Sequence, residues 1–492
     1  MALSLGAMAA LVLWRSLPFL GPVPPEGLFN SDSAIPVLMS NLASGAPVDW
    51  LFWGQDRFGS WPFLTMRAIR GLSGWAWTPH AHHVVRTLFL VAAVVPWVGL
   101  AGRAGVVAGA GLLLLPGLNP LLERVLVDVG TVDAWQVPAL LWAWWGLRRA
   151  AVGPRRVGWL VLAAVAGVLA TWTSLVSGPL LLVLALVEGT GRGLSGRWRA
   201  ALAIPAVAGV LVEAGVRTAW HAAVRARGWP NVRTPASLDV GHLVENAGAV
   251  LSVARQVGAV PWLVAVIAAA VLGVRLLQRG KDGEGRTLLG TTGAALTALA
   301  VVVAVRHVRD NGYNPRYLGV GLSFAVLGTS AMVGCGLRQV IARIWPAAVP
   351  AGLGLAGLAA VAFLAPVARP DPREAVLVPA AEEIRARHAG AVLVASYWRT
   401  YALASLVPPW TLIPLPHAGE WNRRPDWVAF LGSGRPVLVG RPDSESGPPP
   451  PSRLDRGVRL MLVAPDVLSI PPFPGESTGE RLSLYRPAID GS

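Results

Sequence analysis

Long apolar runs separated by short clusters of arginine dominate residues 1–366 of the chain. A bilayer-crossing helix needs about 20 mostly apolar residues, because each residue rises about 1.5 Å through a hydrocarbon core of about 30 Å. Runs of that kind predict spans near 3–20, 84–101, 105–122, 134–147, 157–173, 175–188, 200–216, 259–278, 287–305, 317–337 and 346–366. The first lacks a basic start and an evident small-residue cleavage site, so it reads as a retained helix rather than a signal peptide. As one helix, 157–188 would be about 48 Å long, too long for a single pass. Thr171 to Pro179 carries Thr, Ser, Gly and Pro, which suit a tight turn. The stretch is therefore divided there.

Charge supports the division. With the N-terminus inside, eleven spans place Arg103, then Arg148, Arg149, Arg155 and Arg156, then Arg192, Arg197 and Arg199 in cytoplasmic loops. Arg275, Arg279, Lys281 and Arg286, then Arg338 and Arg343, fall on the same side, as the positive-inside tendency expects. An undivided span would put Arg148–Arg156 and Arg192–Arg199 on opposite sides. The expected fold is mostly α and polytopic, with about eleven transmembrane helices in 1–366 and outer loops at 21–83 and 217–258. The tail, 367–492, changes character. Glu374–Arg387 has a helical pattern, and Ala391–Ala395, Pro436–Gly440 and Val458–Val463 have strand patterns. Asp443–Ser452, with its prolines, reads as a loop inside a small extracytoplasmic α/β domain.

Composition narrows the class. The 492 residues are 54% hydrophobic and only 14% charged, against about 25% charged in ordinary globular chains. The formal charge of +15 would suggest nucleic acid on a soluble protein. Here the basic residues lie between apolar runs, so membrane lipid is the expected partner and nucleic acid is not. A single cysteine, Cys335, excludes an internal disulfide and any multi-thiolate metal site. No phosphate-binding P-loop, GxSxG elbow, HExxH or dinucleotide glycine fingerprint occurs. Intramembrane acids are too scarce for the relay of a proton-coupled transporter.

Candidate chemistry gathers in the outer loops. Asp32 follows the first span by about a dozen residues, in Phe29-Asn30-Ser31-Asp32-Ser33-Ala34. A carboxylate there suits a general base on an acceptor hydroxyl, although local sequence alone favours a helix N-cap. Trp53 to Pro62 combines glycines, aromatic rings and Gln55, Asp56 and Arg57. It can present polar groups to a headgroup or form an interfacial turn. His80, His82 and His83 admit a metal reading, but without nearby Cys or regular spacing they read instead as solvated loop histidines, and no cofactor is expected. Arg306, His307, Arg309 and Arg316 crowd an eleven-residue outer loop whose one acid is Asp310, against the charge rule. A guanidinium fork matches phosphate oxygens, although snorkelling to ordinary headgroups is the alternative. Glu213 and Arg217 suit a structural ion pair.

These residues resemble a known family. Ser31-Asp32-Ser33-Ala34 ahead of Leu38-Met39, then Trp53-Gly54-Gln55 and Phe58-Gly59, are similar to the first outer loop of bacterial GT-C superfamily membrane glycosyltransferases. Asn314-Pro315-Arg316-Tyr317-Leu318 resembles the Arg-Tyr-Leu segment opening a late span there, and Ser396-Tyr397-Trp398-Arg399-Thr400-Tyr401 a Tyr-Trp-x-x-Tyr stretch of the outer tail. The resemblance implies a polyprenyl-phosphate sugar donor, an envelope glycan, lipid or protein acceptor, and a place in the bacterial inner membrane. It implies Asp32 as catalytic base and Arg316 as a donor-phosphate ligand, with Arg306, His307, Arg309 and Tyr317 around it. Gln55, Asp56, Arg57 and His83 then fall to the acceptor side. The chain departs from the family at Trp61-Pro62, where many relatives place a second acid, and at Ser396, where many have Asp. The competing classes are a lipid or glycan transporter, a scaffold, and a catalytically degenerate member.

Overall fold

A computed structural model describes residues 31–53, 58–102, 108–109, 111–112, 118–127, 133–191, 193–229, 238–344, 374–418, 420, 422, 424–472 and 478–488. The expected spans 3–20 and 346–366 lie outside these residues, as does most of 105–122. Among the described residues, six helices are long and apolar enough to cross a membrane. The first joins α3 (Pro79–Ala92) to α4 (Val94–Ala101). The others are α7 (Arg156–Thr173), the pair α9 (Gly196–Ala201) and α10 (Ile204–Ala226), α12 (Val260–Gln278), α13 (Asp282–Ala304) and α15, which spans Gly319–Ile344. Between them run α6 (Asp133–Val152) and the shorter apolar α8 (Ser177–Gly189). The remaining helices are α1 (Ser31–Leu42), α2 (Trp61–Ser73), α5 (Pro120–Val127), α11 (Leu243–Gln256) and the five-residue α14 (Arg306–Asp310).

The turn between α7 and α8 occupies Ser174–Val176, where the Thr/Ser/Gly/Pro pattern places it. The expected span 200–216 runs on to Ala226, so its last turns belong to the helix and not to the outer loop. Contacts at the helix ends divide the bundle into two faces. On one face Arg148 donates to Leu100 O at 2.7 Å and Gly283 O at 3.2 Å, and pairs with Glu188 at 2.7 Å. Arg286 approaches Glu188 at 3.6 Å, and Trp144 Nε1 donates to it at 2.7 Å. Glu188 is fully buried, and these donors offset the cost of burying its charge. On the other face Trp172 donates to Trp50 O at 2.9 Å, Trp220 to Val48 O at 3.1 Å, and Asp239 N to Ala304 O at 2.7 Å. The first loop, the second loop and 306–316 therefore share a face, opposite Arg148 and Arg286. Small residues let the helices approach, as packing in lipid requires. A Cβ on Gly290 would lie 2.2 Å from the Trp144 ring, and one on Gly209 would lie 2.5 Å from Thr171 Oγ1.

The tail folds as a six-stranded sheet of order β2-β1-β3-β6-β5-β4. β1 (Ala391–Ala395), β2 (Leu412–Pro416) and β3 (Val437–Pro442) are parallel; β4 (Ser452–Asp455), β5 (Val458–Ile470) and β6 (Glu480–Pro487) add antiparallel strands. The helices α16 (Glu374–Arg387) and α17 (Tyr397–Leu406) complete the α/β unit. Sequence pattern misses β2, β4 and β6. Two prolines obscure β2, yet it is an edge strand, where proline is tolerated. β5 continues past Val463 because its ladder slips twice, and Asp466 takes a positive φ of 45°. The tail core is shared. Ala34, Ile35, Leu38 and Met39 of α1 and Phe63 of α2 lie in one apolar cluster with Leu393, Tyr401, Leu403 and Leu482. Burying such side chains stabilises by about 1.5–3 kcal/mol each, which binds the first loop and the tail together.

Candidate functional site

The site begins with α1. Its apolar positions face α17, and its polar Asn41 is locked: Asn41 donates to Trp77 O at 2.7 Å and accepts from Trp77 N at 2.9 Å. Arg67 Nε donates to Ala43 O at 2.9 Å, and Arg70 donates to Asn41 O. These donors occupy carbonyls that a helix C-terminus leaves open. Asp32 is the second residue of α1.

α3 packs beside α1 and carries the histidines. Thr78 caps it, accepting from Ala81 N at 3.1 Å. His82 and His83 are 1% and 3% exposed, so the solvated-loop reading of them is incorrect. The capped helix starts at Pro79 and turns both rings inward. The His82 ring lies 6.1 Å from Phe63 and 6.0 Å from Trp77, and its two nitrogens find no hydrogen-bond partner among the described residues. Arg86 is buried one turn further on. No group of three or more His, Cys, Asp or Glu suited to a metal occurs among the described residues. Gln55, Asp56 and Arg57 lie outside those residues.

The arginine loop divides by role. Arg309 pairs with Asp239 at 2.7 Å and approaches Asp310 at 3.8 Å. Burial raises the Asp239 pKa. Hydrogen bonds from His242 and Asn246 and the charge of Arg309 outweigh that and hold it below its ordinary value. Arg306 is half exposed and lies 3.5 Å from Asp310. Both are thus engaged by acids, one of them from the loop 217–258, which local sequence did not reveal. Arg316 differs. It sits in the 3-10 turn Pro315–Leu318 that leads into α15, with its guanidinium 5.4 Å from the Tyr317 ring centre. Its Nε is buried and meets no hydrogen-bond acceptor among the described residues. Tyr317 Oη lies 3.1 Å from His307 Nε2. Asp133, at the start of α6, is the acid nearby: its carboxyl carbon lies 3.4 Å from where a Cβ on Gly319 would stand, and it feels the Arg316 charge. Its position just ahead of an apolar run was the available sequence signal. Glu213 and Arg217 form the expected pair, with Nε–Oε1 at 2.9 Å.

Two further polar centres join the loops to the tail. Asp49, fully buried, accepts from Ser44 N at 2.6 Å, Trp53 Nε1 at 2.7 Å and Arg424 Nη1 at 3.2 Å. Arg424 also bonds Asp426 and lies within 4.8 Å, 5.5 Å and 5.3 Å of the Trp53, Trp229 and Trp427 ring centres. At the carboxyl end of β1, the buried Glu480 bonds Ser396 N at 3.0 Å, His417 Nε2 at 3.1 Å and Arg399 Nη1 at 3.4 Å. Burial raises the Glu480 pKa, but the His417 and Ser396 hydrogen bonds with the His417 and Arg399 charges more than offset it, leaving a net depression. A carboxyl depressed on folding gives stability that is complete above its unfolded value, near 4.5, and lost as pH falls through its folded value. Acidification below about pH 4.5 should therefore weaken the tail, and Glu480→Gln should flatten that acid limb in melting curves. An identical acid limb in the variant would contradict this role.

Comparison with known proteins finds similarity in backbone shape alone. No family model matches it, and no curated protein matches by sequence. An Archaeoglobus fulgidus oligosaccharyltransferase, solved with Zn and sulfate, aligns with a TM-score of 0.47 and 12% identity over 89% of this chain and 67% of that one. ArnT from Cupriavidus metallidurans, bound to undecaprenyl phosphate, aligns with a TM-score of 0.45 and 14% identity over 99% of this chain and 98% of that one. A second Archaeoglobus fulgidus structure, the oligosaccharyltransferase AglB with an inhibitory peptide and a dolichol-phosphate, gives 0.44 and 11% over 88% and 69%. The likeness to these three structures is one of backbone outline at low identity.

Proposed function

We propose that this chain is an inner-membrane glycosyltransferase that moves a sugar from a polyprenyl-phosphate carrier to an acceptor on the tail's side of the membrane, with its N-terminus in the cytoplasm. The observation that carries the proposal is Arg316. A half-buried guanidinium at the mouth of the bundle, held against a tyrosine ring with an Nε lacking an acceptor, is built to receive an anion. At that depth a lipid phosphate is the natural one. α3 lies between this loop and α1, packing on α1 and on α5 and α6, while α5 reaches the Pro315–Leu318 turn and α15. α3 thus links α1, which carries Asp32, through α5 to the turn that carries Arg316.

In this reading Asp32 takes the proton of the acceptor hydroxyl as its oxygen attacks the anomeric carbon. The bond from that carbon to the carrier phosphate oxygen breaks, and the phosphate leaves with the electron pair. Arg316 stabilises the charge that gathers there, in a water-poor interface where such a contact counts most. His307 and Tyr317 orient around it. Arg306 and Arg309 contribute positive potential at the rim rather than direct contact, because acids already engage them. Gln55, Asp56, Arg57 and His83 belong to the acceptor side. Arg316→Ala should raise the donor KM about tenfold or more with a smaller change in kcat. Native mass spectrometry of the purified protein should also show a retained polyprenyl-phosphate species that the variant loses. Equal retention by both proteins would remove Arg316 from the donor site.

A further inference from the structure

The edge of α2 that faces away from the protein has a composition unlike a water-exposed surface. Thr65, Ala68, Ile69 and Leu72 line it, and none is charged. Ile69 is 44% exposed, Leu72 91% and Trp75, just beyond the helix, 67%. No acidic residue occurs between Asp56 and Glu123. Arg67 and Arg70 flank the edge, and neither pairs with a carboxylate among the described residues. A helix with an apolar edge, flanking arginines and a tryptophan is the pattern of one lying in the plane of a membrane surface.

The ends of α2 fix where that edge lies. At its start, Trp61 Nε1 donates to Thr173 Oγ1 at 2.6 Å, at the loop-face end of α7, and its ring lies 6.0 Å from Trp135 at the start of α6. At its end, Trp77 donates through Nε1 to Met66 O at 2.7 Å, and the chain enters α3 two residues later, again at the mouth of the bundle. Thirteen residues, about 20 Å of helix, therefore run from one membrane-surface point to another. The following span also turns apolar side chains outward, at Leu88 and Val95. We propose that Ile69, Leu72 and Trp75 are immersed in the leaflet on the tail's side, with Arg67 and Arg70 at its phosphate level. Because the same two arginines hold the carbonyls of Asn41 and Ala43, the bilayer surface itself sets the level of α1.

The test uses the full chain with Cys335→Ser, carrying a nitroxide at Leu72→Cys or, separately, Ile69→Cys. The protein is reconstituted in vesicles of phosphatidylethanolamine and phosphatidylglycerol. Val95→Cys serves as the lipid-facing reference and Arg387→Cys, in the tail, as the aqueous one. Dissolved oxygen should relax the labels at 69 and 72 more than a water-soluble nickel chelate does, as at 95 and opposite to 387. Labels that behave like 387 would overturn the proposal. Labels shielded from both reagents would overturn it in favour of a protein partner on this edge. The two sites report independently, so failure of one variant to fold leaves the other decisive.

Discussion

Asp32→Asn should leave the protein inserted and folded while sugar transfer falls by about 10²–10⁴-fold, the usual contribution of a positioned general base. Asparagine keeps the size and the helix-capping capacity of aspartate but cannot take a proton. The substitution therefore separates the two readings of this residue. If Asp32 only stabilises the first turn of α1, transfer by the variant should match the wild type and stability should shift by less than about 1 kcal/mol. If Asp32 is the base, kcat should collapse with a nearly unchanged donor KM, because the donor contacts reside at Arg316. Glu in place of Asp should recover part of the rate, since the longer side chain keeps the proton acceptor but misplaces it.

Arg424→Ala should loosen the tail from the membrane bundle. Arg424 meets a buried acid of the first loop, a tryptophan of the second and a tryptophan of its own tail. Removing one partner of a buried pair typically costs about 3–5 kcal/mol, because the remaining charge stays desolvated. Asp49 retains Ser44 and Trp53, so the lower end of that range applies. A loss of about 3 kcal/mol raises the population of detached tails by on the order of a hundredfold. Limited trypsin digestion of the reconstituted protein reads that population, since cleavage tracks opening when reclosing is fast. Arg424→Lys should fall between, keeping charge but losing the planar stacking on three rings. Equal cleavage rates for wild type and Arg424→Ala would show that the shared apolar core of α1 and the sheet holds the tail without the ion pair.

What could be read from the sequence follows from which interactions are local. The division at Ser174–Val176 was visible because turn residues and arginine placement agree there. Ala391–Ala395 was visible as a short apolar run rich in valine, and Glu374–Arg387 by its helical spacing. β2 was not, since edge strands tolerate the prolines that normally exclude a strand. The arginine loop was singled out by its charge, but only the fold reveals that Asp239, some seventy residues upstream, satisfies Arg309 and leaves Arg316 as the candidate anion ligand. Asp49 and Arg424, far apart in the chain, were likewise illegible, because nothing local marks a residue whose partner arrives from another segment. The histidines misled for a related reason: a Thr-Pro helix start looks like a loop until the buried face of the helix is known.

On the proposed function, envelope sugar transfer depends on this chain. Mass analysis of envelope glycans, glycolipids and glycoproteins from cells lacking the protein, cells restored with it, and cells restored with Asp32→Asn tests it most directly. One sugar-bearing species should disappear on deletion, return with the wild-type chain and stay absent with the variant. Identical profiles in all three, with the protein present in the membrane, would contradict it.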